Sequence, residues 1–198
     1  MTPPDIILAI TCTAAYLLGS IPTGLLLGKV YGIDVRREGS GNIGATNLYR
    51  TLGRRVGVLT LVGDCLKGVA PVLAARYFAP STDLAAWVGL AAFCGHVFSV
   101  FLKFKGGKGV ATALGVFLAL SPLAVVVALA VFLVLVLKWR YVSLGSVAAA
   151  AVMPPAVYLF HGSRAMLLVT ALVAVVVIVR HQANIKRLVD GTENKFKA

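Results

Sequence analysis

The sequence predicts an all-α integral membrane protein, a bundle of seven transmembrane helices in one membrane domain over residues 1–198, and three observations carry that prediction. Of the 198 residues, 59% are hydrophobic and 13% charged, with a mean hydropathy of +0.91, outside the balance of soluble domains. The apolar residues fall in runs close to the length of about 20 that a helix needs to cross a bilayer. The polar residues gather in short stretches, the longest being Lys29 to Arg55 and Arg180 to Ala198. No soluble domain fits between the spans, so function must come from loops and helix ends.

The first apolar run, Ile6 to Leu27, has no basic segment before it and reads as a retained helix rather than a signal peptide. Gly19, Ser20, Pro22, Thr23 and Gly24 give its end a small, kinked face suited to close packing or to lining a site. A polar loop follows from Lys29 to Arg55. The second span, Val56 to Phe78, contains Asp64 and Lys67 one turn apart, and the third, Leu84 to Leu102, contains His96. Charged residues are costly in lipid, so Asp64 and Lys67 are expected to face the bundle interior as a pair, a structural salt bridge in preference to a substrate contact. His96 precedes the string FKGGKG, Phe104 to Gly109, and is placed to hydrogen-bond that loop or to carry a proton.

Val110 to Leu137 is apolar apart from Ser121 and Pro122, and whether it forms one helix or two decides the topology. With the first basic loop inside, one helix would send Lys138, Arg140 and the basic tail outside. A break at Ser121-Pro122 returns them, leaving sixteen of nineteen Lys and Arg inside or at the inner boundary. The positive-inside rule selects the break, and proline supplies its local cause. Its first half, Val110 to Leu120, is short, either tilted or re-entrant. The last spans are Val142 to Phe160 and Met166 to Val179, joined by the outer turn His161 to Arg164. The N-terminus is then expected outside and the C-terminus in the cytoplasm, with three polar clusters on the inner face: Glu38 to Arg50, Lys103 to Lys108 and His181 to Glu193.

The net charge of +12 is confined to short loops beside apolar spans, where anionic headgroups account for it and nucleic acid is not an expected partner. Cys12, Cys65 and Cys94 lie within apolar segments at no metal-ligand spacing, so neither a metal nor a disulfide is expected, and no cofactor is called for.

In FKGGKG, glycines and a lysine can bring amide N–H groups and a cation against a phosphate, although a plain turn on the cytoplasmic side reads equally well from the loop alone. It is not a nucleotide P-loop, because Gly109 stands where the magnesium-binding hydroxyl belongs. The string GSGNIGATN, Gly39 to Asn47, supplies a dense set of neutral hydrogen-bonding groups on a backbone that can approach a ligand closely. Arg50 would lie one turn after Asn47 if a helix has begun there, offering a guanidinium to a phosphate; the bland alternative is an interfacial helix meeting lipid headgroups. His181 and Asn184 share a face of a helix that emerges from the last span and ends near Gly191. His-x-x-x-x-Asp is absent, since Phe101, Met166 and Lys186 stand five residues after the three histidines. Gly-x-Ser-x-Gly and a two-metal carboxylate cluster are also missing, so covalent or metal-assisted catalysis has little support.

Three strings together, GSGNIGATN, GHVFSVFLKFKGGKG at Gly95 to Gly109 and HQANIKRLVDGTE at His181 to Glu193, resemble the bacterial acyl-phosphate-dependent glycerol-3-phosphate acyltransferases, the PlsY family. IPTG at Ile21 to Gly24 and DCLKG at Asp64 to Gly68 extend the likeness over almost the whole chain. Ile43 departs from it, since the family usually has proline there. The resemblance implies transfer of an acyl group from acyl phosphate to glycerol 3-phosphate, making lysophosphatidic acid on the cytoplasmic face of the bacterial inner membrane. It implies a catalytic group of Ser40, Asn42, Arg50, Lys108, His181 and Asn184. Gly39, Gly41, Asn47, His96, Lys105, Gly106, Gly107, Gly109 and Glu193 are the implied substrate-binding positions. The alternative is a small membrane transporter for an anionic phosphate-containing solute; it would place functional polar groups near the midplane and on both faces.

Overall fold

The computed structural model describes residues 3–78, 81–161 and 163–196, and the regular structure among them is helical throughout. Gly162, in the predicted outer turn, lies outside the described residues. Ten α-helices run in chain order: α1 Pro3–Ser20, α2 Thr23–Val30, α3 Ala45–Leu52, α4 Arg54–Phe78, α5 Thr82–Val97, α6 Val110–Leu120, α7 Pro122–Trp139, α8 Val142–His161, α9 Arg164–Arg180 and α10 Gln182–Val189. A single 3-10 turn, Val100–Leu102, follows α5. The fold is therefore the all-α integral membrane class that composition predicts.

Among the described residues five spans are long and apolar enough to cross a membrane, and α9 with α10 makes a sixth if that pair, bent by 56°, is one span. Helix α6 is the remaining predicted segment, the fourth in chain order. At 11 residues it is about 17 Å long, roughly half the hydrocarbon thickness. Two predicted spans are also interrupted. Pro22 has no N–H to continue the first helix, which stops at Ser20 and restarts at Thr23. The third span's helix ends at Val97, short of Leu102.

The chain divides at Ser121 into two compact units, residues 1–120 and 121–198, and the predicted break is where they part. Helix α6 ends at Leu120 and Pro122 opens α7 at its first turn, where its missing N–H costs nothing. In the first unit α1 packs on α5, and α4 packs on α3, α5 and α6. Glycines let two of these pairs approach to backbone contact. A methyl group on Gly19 would strike Ala92 and one on Gly95 would strike Tyr16, across α1 and α5. Gly68 meets Thr112 and Gly115 meets Cys65 in the same reciprocal way across α4 and α6. With no hydrophobic force between helices in lipid, such close backbone approach is a main source of association. The Arg76 guanidinium donates to the Ala119 carbonyl (2.7 Å), closing the C-terminal end of α6.

In the second unit α8 packs against both α7 and α9. Arg140, in the left-handed conformation (φ 63°), turns the chain between α7 and α8. His181 makes the sharp corner between α9 and α10, so the tail helix is a separate element and not the continuation that the sequence suggests.

Candidate active site

Beneath the first polar loop, Leu25, Val35, Ile43, Leu48 and Val56 form a buried apolar cluster. Ile43, the departure from the family pattern, is buried there, so its side chain anchors the loop. Above the cluster stands Asn47, 2% exposed. Its amide nitrogen donates to the carbonyls of Val35 (3.2 Å), Glu38 (3.0 Å) and Asn42 (2.9 Å), and its oxygen accepts from the Ser40 N–H (2.9 Å). Gly39 and Gly41 have φ of +57° and +69°, conformations that favour glycine. A side chain on Gly39 would also run into the Asn47 carboxamide. Asn42 accepts from the Gly44 N–H (2.8 Å), a local turn that sets the start of α3. The expected helix has begun at Arg50, but Asn47 faces inward while Arg50 is exposed, as is Ser40.

Nearby, Arg36 grips Asp34 with two side-chain bonds (2.9 and 2.7 Å) and its own N–H (3.1 Å). These hydrogen bonds hold the Asp34 carboxyl well below the usual carboxylate range.

The second loop is suspended from the end of α5. The Gly106 N–H donates to the Val97 carbonyl (3.1 Å) and the Gly107 N–H to the His96 carbonyl (3.2 Å). Those carbonyls belong to the last turn of a helix, which leaves them without intrahelical donors. This corrects the expectation of bare glycine amides: two of them are committed to the fold. The glycines serve close approach instead, since a Cβ on Gly106 would meet the His96 carbonyl and one on Gly107 the His96 ring. Gly109 (φ +84°) lies against Phe93, and its carbonyl accepts from Ala113 (2.8 Å), opening α6. Lys108 is half-buried and Lys105 exposed, immediately before the N-terminal turn of α6. That turn points N–H groups and the positive end of the helix dipole outward. Leu102, leading into this loop, packs on the cluster beneath the first loop, so the two predicted sites of the first unit are neighbours.

The predicted pair of Asp64 and Lys67 is present at 2.9 Å, with side chains 2% and 5% exposed. The sequence did not reveal two further contacts. Lys67 also donates to the Ile21 carbonyl (2.7 Å) at the break between α1 and α2, and His96 Nδ1 lies 3.6 Å from Asp64.

In the second unit, His181 is 3% exposed, and its Nδ1 lies 2.7 Å from the Val177 carbonyl. A neutral ring donating there keeps its lone pair on Nε2. Glu193 is clamped by Asn184 (2.6 Å) and Ser143 (2.7 Å) on one oxygen and by Arg187 (2.7 Å) on the other. Burial raises its pKa, but the bonds from Asn184, Ser143 and Arg187 together outweigh burial and leave the carboxyl below the ordinary glutamate range. Ser143, a lone serine near the start of α8, carried no sequence signal. Asn184 and Glu193, which the resemblance gave separate roles, are hydrogen-bonded to each other.

The sequence matches the profile of the family described as Glycerol-3-phosphate acyltransferase over residues 9–191. It is 71% identical over 184 residues to the glycerol-3-phosphate acyltransferase of Trichlorobacter lovleyi, covering 93% of this chain and 95% of that protein. The chain belongs to the glycerol-3-phosphate acyltransferase family. The Geobacter sulfurreducens member is 59% identical over 189 residues, 96% of this chain and 97% of the relative. A crystal structure of the integral membrane acyltransferase PlsY in its glycerol 3-phosphate form superposes with a TM-score of 0.92 at 41% identity, covering 96% of both chains. The lysophosphatidic acid form of PlsY gives 0.89 at 40%, covering 96% of this chain and 95% of that one. These relationships disfavour the transporter alternative.

Proposed function

We propose that this membrane acyltransferase moves a fatty acyl group from acyl phosphate to the sn-1 hydroxyl of glycerol 3-phosphate, releasing lysophosphatidic acid and inorganic phosphate. The likeness to PlsY in its glycerol 3-phosphate form carries this reading. The lysophosphatidic acid form supports the identity of the product. Acyl phosphate as donor rests on the chemistry of the second loop, where Lys108 and the first N–H groups of α6 offer charge stabilisation to a leaving phosphate.

The substrate hydroxyl attacks the acyl carbonyl carbon directly. The new C–O ester bond forms, the carbon–oxygen bond to phosphate breaks, and phosphate departs with that electron pair. An acyl phosphate is already activated, so positioning and charge stabilisation suffice without an acyl-enzyme. Lys108 and Arg50 balance phosphate charge, Ser40 and Asn42 orient the acceptor, and His181 or a substrate phosphate removes the hydroxyl proton. Gly39, Gly41 and Asn47 shape the first loop, Gly106, Gly107, Gly109, His96 and Lys105 the second, and Glu193 holds Asn184 in place. The proposed topology has seven segments in one domain, the N-terminus outside and the reaction on the cytoplasmic face of the bacterial inner membrane.

The test is purified protein in detergent supplied with acyl phosphate and glycerol 3-phosphate, following phosphate release. Release is expected only when both substrates are present, with equal lysophosphatidic acid formed. Release independent of glycerol 3-phosphate would overturn the acceptor assignment. Rapid quench in a single turnover checks the chemistry: no acyl group should appear on Ser40, and an acylated Ser40 would contradict direct attack.

A further inference from the structure

We propose that Asp64 is a positioning residue for the acyl-phosphate loop, acting through His96, and that its ion pair with Lys67 ties the same loop to the break in the first span. The inference rests on the donor assignment proposed above. Three independent contacts converge on His96. Its carbonyl accepts the Gly107 N–H (3.2 Å), its ring lies where a Cβ on Gly107 would be, and its Nδ1 is 3.6 Å from the Asp64 carboxylate. That last separation is longer than a hydrogen bond, so the contact is an electrostatic one. The next carbonyl, Val97, holds the Gly106 N–H. A shift of His96 therefore moves both glycines of the loop, because Gly107 is held by its carbonyl and lies beside its ring, while Gly106 lies against that same carbonyl and is held by the next one.

Asp64 is itself fixed. Lys67 pairs with it as an ion at 2.9 Å and donates to the Ile21 carbonyl at 2.7 Å. That carbonyl stands where α1 stops and α2 has not begun, a position that supplies no helical donor of its own. One buried carboxylate thus links α4, α5 and, through Lys67, the α1–α2 break. The side chains of Asp64, Lys67 and His96 are 2%, 5% and 3% exposed. Charges so placed in a membrane protein are costly and are usually tied to function. A salt bridge serving only to hold helices together would not need an imidazole between it and a glycine loop. The Gly68–Thr112 and Gly115–Cys65 crossings already hold α4 against α6.

Asp64→Asn keeps the shape and removes the charge, and the double variant Asp64→Asn with Lys67→Gln also removes the unbalanced ammonium while keeping a donor toward Ile21. In both, KM for acyl phosphate should rise about tenfold, the effect of one lost charge-assisted interaction, with KM for glycerol 3-phosphate changing less than about twofold. The double variant should recover the thermal midpoint lost in the single one without recovering KM. A purely structural salt bridge would behave otherwise: midpoint and both KM values would return together, and that result overturns the proposal. Hydrogen exchange of residues 103–109 in detergent supplies a readout that needs no turnover. Exchange there should quicken in both variants while residues 38–44 keep the wild-type rate; unchanged exchange at 103–109 also overturns it. If wild-type protein fails to use acyl phosphate, the donor assignment falls, while hydrogen exchange still decides whether Asp64 holds the loop.

Discussion

The two glycine loops of the first unit look alike in sequence and are built in opposite ways. In Gly39 to Asn47 a buried side chain does the organising: Asn47 collects three carbonyls and one N–H, and the glycines supply the left-handed turns around it. In Gly106 to Gly109 the backbone does it: the loop hangs from the last carbonyls of α5, and its first two glycines provide clearance. The first loop should therefore fail through its hub, as lost stability. The second should fail through crowding, as lost geometry and lost rate.

The largest predicted effect is on the second loop. Gly106→Ala drives a methyl group into the His96 carbonyl, which belongs to a helix and cannot swing away. Displacement of the loop by about 1 Å should lower kcat/KM roughly a hundredfold, measured by phosphate release, with a smaller change in thermal midpoint. Next comes Asn47→Ala, which strands several buried polar groups and should cost about 3 kcal/mol of stability, seen in thermal unfolding in detergent. If the Gly106 variant loses stability and the Asn47 variant only rate, the comparison is wrong.

A third prediction extends the comparison to the second unit, where Glu193 is a charged hub. Its folded-state pKa lies below the ordinary glutamate value, so its stabilisation is fully present above that value and is lost as pH falls through the depressed one. Limited proteolysis of the tail should accelerate as pH drops from about 5 toward 3. Glu193→Gln should flatten that dependence and expose the tail already at neutral pH. Smallest of all is Asp34→Asn: its pair with Arg36 is exposed, so the thermal midpoint at physiological salt should stay where it is.

The sequence made the helices legible because lipid demands long apolar runs and proline marks where they break; Pro122 was readable for that reason, and so was the Asp64–Lys67 pair. The breaks at Ile21-Pro22 and after Val97 were harder, since the apolar run continues through both. The polar clusters were legible as clusters, but the division of labour inside them was not. Asn47 looked like a ligand-binding amide and is occupied by its own loop, because only the folded path of residues 35–42 brings those carbonyls around it. The sequence places His96 to hydrogen-bond the loop, and it does so through its carbonyl, but Asp64 is remote from His96 in the chain and no local pattern announces their approach. The clamp of Ser143 on Glu193 spans 50 residues and left no trace in composition or spacing.

The central claim is that the Gly106–Gly109 loop receives acyl phosphate with Lys108 facing the departing phosphate. Steady-state kinetics of Lys108→Ala with both substrates varied tests it most directly. A fall in kcat of about a hundredfold to a thousandfold and a raised KM for acyl phosphate are expected, with wild-type folding. Unchanged kcat and KM for acyl phosphate would contradict it and leave the loop a turn.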